Sequence, residues 1–166
     1  MAFRDNGDGT VTDDSTGLMW EKKAPVGAGG DNVHNLTFGY SWSRPGVTGD
    51  EPDITGTEPD GTAFTLFLRN LNEHAFAGHS DWRLPTRQEL LSIVDRSFIL
   101  PGTQRPAIDP IFGPTQPFFH WSADTSENPH YAWMVNFGRV DPNRNLPEAG
   151  PSSKVNEGWV RAVRTA

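Results

Sequence analysis

Asp81-Trp82-Arg83-Leu84-Pro85-Thr86-Arg87-Gln88-Glu89-Leu90 is the stretch from which the rest of the chain can be read. Thr86 followed three residues later by Glu89 is a capping box, because each side chain can satisfy an orphan backbone N–H at the start of a helix. Pro85 therefore enters a capped helix whose Leu90, Leu91 and Val94 face the core. In the extended run before it, Trp82 and Leu84 are expected inside and Arg83 is expected to pair with a carboxylate. Those roles make the motif structural rather than a site.

Upstream, Phe64, Phe67, Leu68, Leu71 and Ala75 recur at i, i+3, i+4, i+7 and i+11, which predicts a first helix over about Ala63 to Phe76. Gly78-His79-Ser80 ends it. The segment from Ala24 to Gly61 is rich in Gly, Pro, Asp and Thr without a sustained period, and reads as a long excursion. At the N-terminus, Asn6-Gly7-Asp8-Gly9 between Phe3-Arg4-Asp5 and Thr10-Val11-Thr12 predicts a hairpin. Leu18-Met19-Trp20-Glu21 adds a third strand.

Downstream, Pro101, Pro106, Pro110, Pro114 and Pro117 predict a chain of turns with one helical turn near Asp109 to Phe112. Three strands are then expected, over 118–123, 131–137 and 158–164. Alternation would set Trp133, Val135 and Phe137 on one face; in the last strand it would set Trp159, Arg161 and Val163 opposite Val160, Ala162 and Arg164. Asn143 to Asn156 reads as a second loop. Hairpin, helices and a strand cluster imply an α+β fold, with the terminal strand returning beside the N-terminal ones.

The chain has 166 residues, of which 35 % are hydrophobic and 21 % charged, so one domain spanning 1–166 is expected. Six Trp and ten Phe point to an aromatic core. A formal net charge of −7 argues against nucleic acid and heparin-like polyanions, whose capture depends on clustered Lys and Arg. The chain has no cysteine, which removes disulfides and thiolate metal sites without fixing the compartment. No apolar run is long enough for a transmembrane segment. Met1-Ala2-Phe3-Arg4 does not read as a secretory signal, which leaves a cytosolic chain or one whose export signal lies elsewhere.

Taken together, the run Asp5 to Asp13, Thr16-Gly17-Leu18-Met19-Trp20, the Asp81–Leu90 motif, Trp121-Ser122 and the ending Val160-Arg161-Ala162-Val163-Arg164 resemble one family. It is named after the C-terminal domain of the Legionella collagen-like adhesin, long a bacterial domain of unknown function, and the match runs from Phe3 to Arg164 in the family's order. The resemblance implies a C-type-lectin-like fold, with two helices packed on small antiparallel sheets and long loops. It also implies kinship with formylglycine-generating enzymes and with retroelement-diversified variable proteins. Its members tend to be extracytoplasmic, at the cell surface. Function on such a fold lives in grafted loops.

The expectation is a non-catalytic adhesion or recognition domain of a bacterial or phage surface protein, binding a glycan or a protein, with homo-oligomers as one route to higher affinity. A retroelement-diversified receptor is the first alternative and an enzyme related to formylglycine-generating enzymes the second. Without cysteine, the copper-dependent chemistry of those enzymes does not carry over, and the five histidines show no short metal-ligand spacing. The candidate ligand-binding residues lie on the C-terminal hairpins and loops: His120, Glu127, Asn128, His130, Arg139, Asp141, Asn143, Arg144 and Asn145. They mix hydrogen-bonding groups with nearby aromatics, which suits sugars or protein surfaces. Glu127-Asn128-Pro129 itself reads as a hairpin turn. No cofactor is expected; the one metal reading is calcium at Asn6, Asp8 and Thr10, where oxygen donors alternate around Gly9. Arg4 and Ser15 stand where such a loop needs its first and last ligands, so a plain hairpin turn is preferred.

Overall fold

The computed structural model describes residues 3–25, 33–48, 51–53, 56–99, 105–138 and 149–166. Strands β1 (Phe3–Asp5), β2 (Thr10–Asp13) and β3 (Leu18–Glu21) form an antiparallel meander. Gly7 and Gly9, at φ +79° and +89°, supply the left-handed backbone of its first turn. Asp13 ends β2 and accepts from the Ser15 amide and from the hydroxyls of Ser15 and Thr16, which shapes the second turn. The last strand, β11 (Val163–Thr165), joins β3, so the chain's end closes the sheet its beginning opened.

The excursion is not structureless. It holds β4 (Tyr40–Ser41) and the hairpin of β5 (Gly46–Thr48) with β6 (Glu51–Asp53). Three short strands were hidden there because two or three residues carry no readable period.

The first helical segment opens as a π-helix, Ala63–Leu68, and continues as α1, Arg69–Glu73. Phe67, Leu68 and Leu71 are buried, as their spacing requires. Ala75 adopts φ +46°, and a short 3₁₀ turn, Phe76–Gly78, ends the segment. Helix α2 (Arg87–Ser92) begins at Thr86, whose hydroxyl accepts from the Glu89 amide while the Glu89 carboxylate accepts from the Thr86 amide. Glu89 also receives both terminal nitrogens of Arg83, at 2.8 and 2.7 Å. Trp82 and Leu84 are buried beside it. Asp95 and Asp109 cap two further 3₁₀ turns, Arg96–Phe98 and Pro110–Phe112.

A second antiparallel sheet runs β7 (Phe119–Thr125), β8 (Tyr131–Asn136), β9 (Ala149–Ser153), and β10 (Glu157–Gly158) pairs with β4. Two expectations are corrected here. Part of the stretch read as a second loop is β9, whose Ala-Gly-Pro-Ser-Ser sequence has no β-propensity and is held as an edge strand by β8, with Pro151 opposite Trp133. The segment 158–164 is no single alternating strand: Val160, Arg161, Ala162 and Val163 are all buried, because it is wrapped on both sides.

Two buried clusters fill the interior, each combining aromatic rings with aliphatic side chains. One gathers Tyr40, Trp42, Phe67, Trp82 and Trp121; the other gathers Trp20, Leu90, Phe112, Val135 and Phe137. The architecture is mixed α and β, with small antiparallel sheets and short helices.

Candidate recognition surface

Helix α2 decides what the β7–β8–β9 sheet shows to solvent. It has six residues, so it is only about 9 Å long at 1.5 Å per residue. Val135 and Phe137 pack into the cluster that includes Leu90 and Ile93. Two residues earlier on β8, Trp133 faces the helix's first residue, with the Arg87 guanidinium 4.3 Å from its ring centroid. Two residues earlier again, Tyr131 is 38 % exposed. The Arg87 amide donates to the Asp124 carboxylate at 2.6 Å, which ties the helix start to β7. Tyr131, Trp133 and Arg87, with Asp124 and Ser153 flanking, thus make an aromatic strip edged by hydrogen-bonding groups.

The β7–β8 turn stands at the end of this strip. Glu127 and Asn128 are exposed, and His130 is half-buried. The Asn128 side chain accepts from the His130 amide at 3.0 Å, and its carbonyl accepts from the Ser126 hydroxyl and the Tyr131 amide. The Glu127-Asn128-Pro129 segment is therefore a hairpin turn, with Glu127 left facing solvent. His120 does not belong to this surface. It is 1 % exposed, edge-on to Phe137 at 4.8 Å, and its Nδ1 donates to the Phe118 carbonyl. Burial and then the charge of Arg161 push its pKa down to about 3, so it is a neutral core residue. Arg139, Asp141, Asn143, Arg144 and Asn145 lie outside the described residues.

At the calcium candidate, the groups bond one another. Asp8 Oδ1 accepts from both the Thr10 amide and the Thr10 hydroxyl, and the Asn6 amide nitrogen donates to Thr10 and Thr12. The Asn6 oxygen accepts from the Arg4 guanidinium at 2.9 Å. A guanidinium thus stands where a cation would need open oxygens, an arrangement that favours the turn. Among the described residues, no three His, Asp or Glu gather in a group that could hold a metal ion.

Sequence reading missed a buried charge network. Glu21 is fully buried; its Oε1 meets Lys23 Nζ at 2.8 Å and His34 Nδ1 at 2.7 Å, and its Oε2 accepts from the Ala162 amide. Arg161 donates to the carbonyls of Glu21 and Phe112 and to the Thr115 hydroxyl, while its Nε has no partner. Burial alone would raise the Glu21 pKa, but Lys23, His34 and Arg161 outweigh it and hold the carboxyl at about 2. Burial lowers Arg161 to about 10, still charged at neutral pH. The network staples β3, the excursion and the C-terminal segment together across 140 residues of sequence. The signal was an arginine set inside Val160-Arg161-Ala162-Val163, a run too apolar for an exposed strand.

Two clefts open elsewhere. One, of about 370 Å³, is lined by Asp5, Lys22, Lys23, His34 and Phe76, with the His34 ring 4.3 Å from that of Phe76. The other, of about 500 Å³, lies between Leu36 and the proline-rich turns 105–115. No helix among the described residues is long and apolar enough to cross a membrane.

Against known proteins, the family model described as the Lcl C-terminal domain matches residues 9–164. No curated protein and no solved structure matches the chain.

Proposed function

Since the chain belongs to the Lcl C-terminal domain family, a family of surface-protein domains, we propose that it is a non-catalytic recognition module with a C-type-lectin-like fold. It works outside the cytoplasm and holds a glycan or a protein at the end of its β7–β8–β9 sheet. The observation that carries this reading is Tyr131, exposed on β8 two residues before Trp133, whose ring stacks with Arg87 at the start of α2. Aromatic faces take up the apolar side of a sugar ring or a side chain at little entropic cost, and Arg87, Asp124 and Glu127 supply hydrogen bonds at the edge. The net charge of −7 favours a neutral or cationic ligand over a sulfated polymer.

A shallow strip of this kind gives weak single-site binding, so several copies on one stalk or oligomer supply the avidity. The test is a tetramerised form of the domain on a glycan array and on cell surfaces, with and without EDTA. Capture that survives EDTA and falls at least tenfold in Tyr131→Ala, with an unchanged melting temperature, is the expected result. Absence of capture at high valency on every sugar and cell type would overturn the proposal.

A further inference from the structure

The 500 Å³ cleft shares no residue with the Tyr131–Trp133 strip, and it lies within the ~300–1,000 Å³ that small-molecule sites occupy. Its apolar walls are Leu36, Phe98, Ile108, Pro106, Pro110 and Pro114, and Arg105 also lines it. Two polar groups of the lining are already engaged. The Leu36 carbonyl accepts from Gln116 Nε2 at 3.1 Å and from Trp159 Nε1 at 3.3 Å. The Thr115 hydroxyl donates to the Gly113 carbonyl and accepts from Arg161 at 2.8 Å. Three prolines bring no N–H and fix their own φ angles, so the wall is apolar and already shaped.

Arg105 is the exception. It is exposed and, among the described residues, has neither an ion-pair partner nor a hydrogen bond, in a chain whose net charge is −7. The buried Arg161 guanidinium, bonded to Thr115, is already balanced by Glu21, so Arg105 is the charge left for a ligand. An apolar trough with one unpaired cation in its lining asks for an apolar body with a single negative end. We propose that this cleft is a site for a small amphipathic monocarboxylate, its chain lying on Leu36, Ile108 and the prolines and its carboxylate on Arg105. This goes beyond the recognition surface and does not depend on it.

The probes are octanoate, 1-octanol and a leucine-terminated tetrapeptide, titrated separately into the ¹⁵N-labelled protein while amide shifts are followed. Octanoate is expected to saturate, with shifts centred on Leu36, Ile108, Gly113 and Thr115. Arg105→Gln, an exposed change that leaves the fold intact, is expected to weaken octanoate about threefold, the scale of one exposed ion pair, and to leave octanol unchanged. Shifts elsewhere, no saturation, or equal affinity for acid and alcohol in the native protein would each overturn the assignment. Tighter binding of the tetrapeptide than of octanoate would overturn it too, since the site would then read peptide ends.

Discussion

Replacing Glu21 with Gln keeps the side chain's volume and an oxygen for the Ala162 amide, but removes the charge that balances Lys23 and Arg161 in the interior. Breaking a buried ion pair from one side costs about 3–5 kcal/mol, because the partner is left charged and unsolvated. A domain of this size has roughly 5–15 kcal/mol in total. With a urea slope of about 1–3 kcal/mol per molar, the unfolding midpoint of Glu21→Gln drops by roughly 1 M or more at pH 7. Tryptophan fluorescence reads it directly, since Trp20 and Trp121 are fully buried.

The pH dependence supplies a second readout. The carboxyl titrates at 4.5 when unperturbed and at about 2 in the fold, so its contribution is complete above 4.5 and is lost as the pH falls towards 2. Glu21→Gln therefore flattens the acid limb of the stability curve. The double variant Glu21→Gln/Lys23→Met recovers part of the loss, since one stranded cation goes with its partner. A midpoint shift below about 0.3 M, or an acid limb unchanged in the variant, would refute the network as the staple of the fold.

Three further outcomes follow from the same geometry. Between pH 6.5 and 5 the unfolded chain takes up a proton at His120 that the fold refuses until about pH 3, so stability falls with falling pH by up to about 1.4 kcal/mol per unit; His120→Leu flattens that slope, as urea melts at several pH values will show. Thr86→Ala removes the helix cap and costs about 1 kcal/mol in the same assay, well short of the Glu21 effect. Gly7 and Gly113 both hold positive φ, but a Cβ at Gly7 meets nothing, whereas one at Gly113 falls 2.6 Å from the Lys23 carbonyl. Gly7→Ala therefore costs about 1–2 kcal/mol and Gly113→Ala distinctly more.

The Asp81–Leu90 stretch was legible because everything it specifies is local. Thr86 reaches Glu89 three residues on, and Arg83 reaches the same carboxylate six residues on. The closure of the N-terminal meander by the last strand was legible too, at the level of which segments meet. Arg161 was not, because its charge is balanced by Glu21, 140 positions away, and alternation that sets it beside Trp159 and Val163 names no partner for it. β9 was missed for a different reason: Ala149–Ser153 is a strand only through its neighbour. His120 was misplaced outward because a histidine in a strand gives no sign of which face it occupies, and here the interior face won. For the recognition surface, the sequence offered the turn residues Glu127, Asn128 and His130 but not the exposed rings beside them. That exposure depends on α2 starting at Arg87 against Trp133; the capping box sets the start but not which residue of β8 lies beside it.

Chemical-shift mapping of the ¹⁵N-labelled domain with whichever sugar or peptide the multivalent form captures tests the central claim most directly. The account predicts that the Trp133 indole and the amides of Tyr131, Glu127 and Arg87 move first and most. Saturable binding that leaves those four signals still and moves others would place recognition elsewhere on the molecule and contradict it.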